Sequence, residues 1–206
     1  MRTSLAALAL TLAVATPLTA AAKQKTVDHV KIVGDTAVAS WDYTQGNVLT
    51  FVNVVATLNN VKDENGKSQD AFVSLAISQS ALDTGNVLIT GVAYATDFDF
   101  HVDHDLKMAF LHVKDAIFQD DNSFTFFNVD IDLTWNATAE ATSQHSHEQI
   151  REPGLKINSQ FKGDFRDAEA SGSIFGKDIQ FTPMPSTSGQ LQHNKFGSVT
   201  ITTGKP

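Results

Sequence analysis

The feature that most constrains this chain is an alternation of apolar and polar side chains with a period of two. Lys107 to Phe118 puts Ala109, Leu111, Val113 and Ile117 on one parity. From Ser123 to about Thr142 the odd positions Phe127, Val129, Ile131, Leu133, Trp135 and Ala137 are apolar. Ala71 to Ser80 sets Val73, Leu75 and Ile77 against Ser74, Ala76 and Ser78. Successive side chains of an extended strand point to opposite faces, so this is the pattern of half-buried strands. Helical periodicity is nearly absent. Turn signals such as Gln45-Gly46-Asn47, Asn65-Gly66 and Gly176-Lys177-Asp178 divide the strands. Together they specify an all-β fold, an antiparallel β-sandwich of about ten strands. Trp41 and Trp135 share the apolar parity of their strands and are expected in the core. Gly91, inside a strand, marks a bulge or a close backbone approach.

The first residues read as a targeting segment. Met1-Arg2 is a short positive start, Leu5 to Ala15 is apolar, Pro17 interrupts it, and Ala20-Ala21-Ala22 is a small-residue cleavage site. The expected organisation is a signal peptide over 1–22 and one all-β domain over 23–206. No later stretch holds the ~18 unbroken apolar residues of a membrane-spanning helix. There is no cysteine, so neither disulfides nor thiolate metal sites are open to this chain. The 15 Lys and Arg include Arg2, which leaves with the signal, and face 23 Asp and Glu, so the mature chain carries a net charge of −9. That balance argues against nucleic acid or an anionic membrane as a partner and is compatible with cations.

One strand is written Asp97-Phe98-Asp99-Phe100-His101-Val102-Asp103. Phe98, Phe100 and Val102 face the core, and the acids and His101 face away. A tight hairpin centred between Asp105 and Leu106 would set Asp99 opposite His112, His101 opposite Phe110 and Asp97 opposite Lys114. The next strand would bring Asn128 or Asp130 beside His112. Asp99, His101 and His112 are therefore candidate ligands for calcium or another divalent ion. Residues two apart on a strand lie about 6.5–7 Å apart, too far for a flat ladder to gather the oxygens calcium needs. The solvated, charge-balanced face is the better reading. The Asp63-Glu64-Asn65-Gly66 stretch lacks the EF-hand spacing and reads as a turn.

His145-Ser146-His147 is the sharper motif. On an extended segment both imidazoles share one face, and two nitrogens could reach one zinc ion, given a third ligand that the sequence does not identify. Nucleophilic catalysis has little support: G-x-S-x-G and H-E-x-x-H are both absent. Asn136-Ala137-Thr138 is a glycosylation sequon only in a eukaryotic secretory pathway. The expectation is a secreted or periplasmic, non-catalytic binding module for a divalent metal, a glycan or a protein surface, with zinc or calcium as the ion. The alternatives are a metal-dependent enzyme using His145 and His147, and a small outer-membrane β-barrel, which would share the length, signal and alternation.

Overall fold

In a computed structural model the described residues are 25–176, 180–181 and 185–203. The expected signal segment and its cut after Ala22 lie outside them. Every described element is a strand: β1 (Lys25–Gln45), β2 (Val48–Asp63), β3 (Gly66–Ala81), β4 (Val87–Ala95), β5 (Asp99–Val102), β6 (Met108–Asp120), β7 (Thr125–Ala137), β8 (Thr142–Glu152), β9 (Leu155–Gly176), β10 (Gln180–Phe181) and β11 (Ser188–Thr203). The expected all-β antiparallel fold is what the chain forms. Its two walls face each other across one core, as in a sandwich, and are joined by hydrogen bonds on both sides. The ladder runs β1-β2-β3-β4-β6-β7-β9-β11 and returns to β1, so eight antiparallel strands close a ring. A closed ring leaves no edge within it.

The remaining strands continue members of that ring. β4 pairs with Ile117–Asp120 of β6, and β5 pairs in line with it along Ala109–His112. β7 pairs with Ala168–Gly176 of β9, and β8 pairs in line with it along Leu155–Phe165. The region from Ser143 to Gly163, where alternation fades in the sequence, is thus most of a long hairpin turning at Pro153-Gly154.

Eight strands make a barrel just wide enough for side chains to fill it, and this one is filled. Trp41, Val54, Leu75, Leu111, Phe118, Ile131, Leu133, Trp135, Ile174 and Leu191 are all at most 2% exposed. Trp135 Nε1 donates to the Val38 carbonyl at 2.9 Å, so both expected core tryptophans are there and the indole N–H is satisfied. Gly91 is a close approach: a Cβ there would lie 1.9 Å from the Gln119 carbonyl oxygen.

A bulge changes the parity of β6. Lys114 and Asp115 together oppose Asp130, and the register shifts between Val113 and Ala116. Asp115 takes φ 57 and its N–H donates to Asp130 Oδ1 at 2.8 Å. Beyond the bulge Ala116 and Phe118 point inward, while Ile117, expected to share the parity of Val113, is 61% exposed. The turn from β6 to β7 spans 121–124 instead of 119–122, and together with the one-residue bulge this sets His112 opposite Asp132 instead of Asn128 or Asp130.

Candidate functional site

Six strands run on past the closed ring at one end. Residues 25–35 of β1, 58–63 of β2, 66–72 of β3, 155–166 of β9, 192–203 of β11 and all of β8 form an open sheet in the order β8-β9-β11-β1-β2-β3. The pairing of β1 with β2 and with β11 is unbroken along the way, so the parity of the barrel wall carries through. Positions that continue the barrel's inward face now line a trough. A cleft of about 1030 Å³ lies along it, bounded by His145 and His147 of β8 on one side and Lys62 of β2 on the other. A Cβ added to Gly197, in the middle of the cleft floor, would meet nothing within 4 Å.

The barrel end of the trough is blind. The turn between β5 and β6 crosses the ring there and pushes Leu106, 2% exposed, into its mouth. Leu106 adopts φ 55, uncommon for a branched residue, and its N–H donates to the Asp103 carbonyl at 2.9 Å. Arg166 ties this turn down, donating from Nη1 to the Asp105 carbonyl at 3.1 Å and from Nε to the Ala139 carbonyl at 2.6 Å. Next comes a polar girdle across the sheet: Ser143, Asp164, His193 and Asp35 oppose one another in register. Asp35 Oδ1 and His193 Nδ1 are 2.6 Å apart, and the His104 ring from the plugging turn lies 6.4 Å from that of His193. The hydrogen bond from Ser143 Oγ, with Lys162 and His193 close by, holds the Asp164 carboxyl below its ordinary value despite some burial.

Past the girdle the inward face turns basic. It carries Lys25 and Lys31 on β1, Lys62 on β2, Lys67 on β3, Arg151 on β8, Lys156 and Lys162 on β9, and Lys195 on β11, in addition to Arg166. Of the described cationic residues only Lys107 and Lys114 lie elsewhere. His29, His145, His147 and His193 share this face. The opposite face of the same sheet carries the acids Asp28, Asp70 and Glu148 among apolar side chains such as Val30, Ile32, Ile157 and Phe196, and Glu64 lies in the turn between β2 and β3. The contact of Glu64 with Asp28 raises the Glu64 pKa, first through a shared hydrogen bond and then through like-charge repulsion. Phe161 and Phe165 also turn to that opposite face, where their rings cover the position a Cβ on Gly163 would take.

The candidate residues named from the sequence divide between the two regions. His145 and His147 lie on one face of β8, opposite Lys162 and Gln160. Among the described residues no group of three or more His, Cys, Asp or Glu gathers as metal ligands would. Asp99 stands opposite His112, and His101 opposite Phe110, as the hairpin register specifies. Both histidines lie on the barrel's outer wall, with His112 Nδ1 3.9 Å from Asp132 and His101 Nε2 3.5 Å from Asp103. Asp97 falls before β5 begins, so the expected pairing with Lys114 is not part of the ladder.

The trough itself was not anticipated. Its trace in the sequence is an alternation with the polarity of the core parity reversed: the even positions of β9 run Lys156, Asn158, Gln160, Lys162, Asp164, Arg166 and then Ala168, Ala170. The chain matches no protein-family model and no curated protein.

Proposed function

We propose that the protein is a secreted or periplasmic, non-catalytic binding module that holds its ligand in the trough. The observation that carries this reading is the junction of a filled barrel with an open continuation of its own inner wall, where Lys, His, Asn and Gln side chains stand among Val27, Val33, Leu58 and Val199. A barrel of this size holds either side chains or one small ligand, and here Trp41, Trp135 and Phe118 take that space. The cleft of about 1030 Å³ beyond them is at the upper end of small-molecule sites, large enough for an extended ligand. The polar groups at its blind end are engaged with one another, His193 with Asp35 and Asp164 with Ser143, which suits a fixed wall better than proton transfer.

Among the described residues no helix is long and apolar enough to cross a membrane. The polarity of the barrel favours an aqueous setting over the outer-membrane alternative. The outward parity of β6 and β7 carries His112, Lys114, Asp130 and Asp132 beside exposed Ile117 and Phe126, while the inward parity is apolar. A lipid-embedded barrel has the reverse arrangement.

The test is a screen of oligosaccharides, divalent cations and short peptides by amide chemical shifts of the ¹⁵N-labelled protein. Ligands are expected to move the amides of Lys31, Gln160 and Gly197, and Gly197→Trp should abolish those shifts while the barrel amides stay in place. Binders that move only the outer wall around Asp99 and His112 would overturn the assignment to the trough.

A further inference from the structure

Resting on the reading of the trough as a ligand site, we infer that its ligand is an extended polyanion rich in hydroxyl groups, of the class of acidic oligosaccharides bearing carboxylate or sulfate.

The gathered cations carry an electrostatic cost. Lys31, Lys62 and Lys67 stand directly opposite one another on three successive strands. Lys162 opposes Lys195, and Arg151 opposes Lys156. Directly opposed side chains on one face have Cβ atoms about 5 Å apart, and like charges there destabilise the sheet. Lys162 has a partner in Asp164 at 3.4 Å. For Lys31, Lys62, Lys67, Lys195, Arg151 and Lys156 no ion pair is present among the described residues. The chain holds an excess of acids that could have been placed beside them. Apart from Asp35 and Asp164 in the girdle and Asp63 at the cleft mouth, the acids of this sheet lie on the opposite face, at Asp28, Asp70, Glu148 and Glu152, or in the β2–β3 turn, at Glu64. A sheet whose two faces segregate charge in this way is poorly self-compensated, and an anion in the cleft is what balances the inner face.

The shape and the other groups narrow the class. Lys195 and Lys31, the latter alongside Lys62, are successive rungs along the trough, about 7 Å apart by strand geometry, and Arg151 with Lys156 lies further toward the open end. One small anion cannot reach all three levels, whereas a chain with repeating charges can. Between the cations stand His147, Gln160 and Asn158, donors and acceptors suited to hydroxyl groups. Nucleic acid is the competing polyanion. Its single-stranded form is held by aromatic side chains on which bases stack. Here the two phenylalanines that border the cleft, Phe161 and Phe196, form a single cross-strand pair at positions of the opposite parity and not a row along it, and the net charge of the full sequence is −8, which opposes a long polyanion that extends beyond the trough.

The experiment is calorimetric titration of the purified protein with tetragalacturonate, with neutral maltotetraose, and with a short thymidine oligonucleotide. Tetragalacturonate is expected to bind best, and its affinity should fall steeply between about 0.05 and about 0.5 M NaCl as the charges are screened. The triple variant Lys31→Gln, Lys62→Gln, Lys195→Gln should lose roughly tenfold or more in affinity. Its melting temperature should hold or rise as the repulsion is relieved, whereas Lys114→Gln on the outer wall should leave affinity unchanged. Equal binding of maltotetraose, with no effect of the triple variant, would overturn the acidic class and leave the trough as a site if Gly197→Trp still abolishes binding. Tighter binding of the oligonucleotide would also overturn it, in favour of nucleic acid. Failure of tetragalacturonate to bind at low salt overturns it outright.

Discussion

The barrel and the trough are built from the same strands with the same alternation, and they differ in what the inward parity faces. In β1 that parity runs Lys25, Val27, His29, Lys31, Val33 and Asp35 in the trough, polar at four positions of six, and then Ala37, Ala39 and Trp41 in the barrel. In β9 it runs Lys156, Lys162 and Arg166, then Ala168, Ala170 and Ile174. The change falls at one level of the sheet, the girdle of Ser143, Asp164, His193 and Asp35. Where the ring closes, an inward side chain loses water on all sides and must be apolar or fully bonded. Where the ring is open the same direction leads to water, and charge carries no desolvation cost. A strand's parity therefore states which wall a residue belongs to. The environment on that side depends on whether a partner strand closes the ring.

The sharpest way to break this contrast is to make a hole in each region. Trp135 is fully buried and its Nε1 bonds the Val38 carbonyl. Trp135→Ala removes the largest class of core side chain together with its bond to that carbonyl, so a loss of about 3–5 kcal/mol is expected in urea unfolding. Lys195→Ala on the same sheet should change stability by less than about 0.5 kcal/mol. Comparable losses would mean that the trough packs as a core and is no open site.

A second pair of variants adds atoms instead of removing them. A Cβ at Gly91 meets the Gln119 carbonyl oxygen at 1.9 Å, and backbone cannot swing aside. Gly91→Ala is expected to cost about 1–3 kcal/mol by forcing β4 and β6 apart. Gly197→Ala meets nothing within 4 Å and should be neutral or slightly stabilising, because alanine has less conformational freedom to lose than glycine. Both variants are read by denaturant midpoint, and a stabilising Gly91→Ala would show that the ring is looser there than the contact implies.

These contrasts also explain what could be read from the chain alone. The register of β5 on β6 was legible because a tight turn leaves one way to count, and Asp99 does stand opposite His112. The register of β7 on β6 was not, because the polar run from Gln119 does not say where the strand stops and the turn begins, and nothing in Lys114-Asp115 announces a bulge, whose one extra residue reverses the facing of everything after it. That is why Ile117 is outside and Phe118 is inside. Trp41 and Trp135 were legible as core because their neighbours of like parity are small and apolar. His145 and His147 were legible as a pair on one face, but their surroundings were not. Their neighbours Lys162 and Gln160 come from a strand ten or more residues away, and a net negative charge conceals a face on which the cations are gathered. The trough follows from closure of the ring, a property of pairing between distant segments that alternation does not encode.

The last comparison sets two carboxylates side by side, one in each region, and its readout is a pH trend. Asp120 ends β6, opposite Gly91 of β4 and Thr125 of β7, and is 5% exposed. Burial pushes its carboxyl up, but Ser123 Oγ at 2.6 Å and the N–H groups of Asn122 and Thr90 all donate to it, and together they leave it below its ordinary value of 3.8. Asp164, in the girdle, is lowered in the same direction by Ser143 and Lys162. A group whose folded-state pKa is depressed stabilises the fold above its unfolded value, and that contribution fades as the pH falls below about 3.8 toward the folded value. Asp120→Asn should therefore cost about 1–3 kcal/mol at neutral pH, where charge-assisted hydrogen bonds to a buried carboxylate are lost. The deficit relative to the native chain should shrink as the pH is lowered from 5 to 2.5, a range bracketing the ordinary value. Asp164→Asn should follow the same pH trend with a smaller amplitude, because its side chain is 28% exposed and water screens its partners. If urea unfolding at several pH values gave Asp164→Asn the larger and steeper loss, the girdle would belong energetically to the closed barrel, and the open cleft would begin one rung further out, at Lys162 and Lys195.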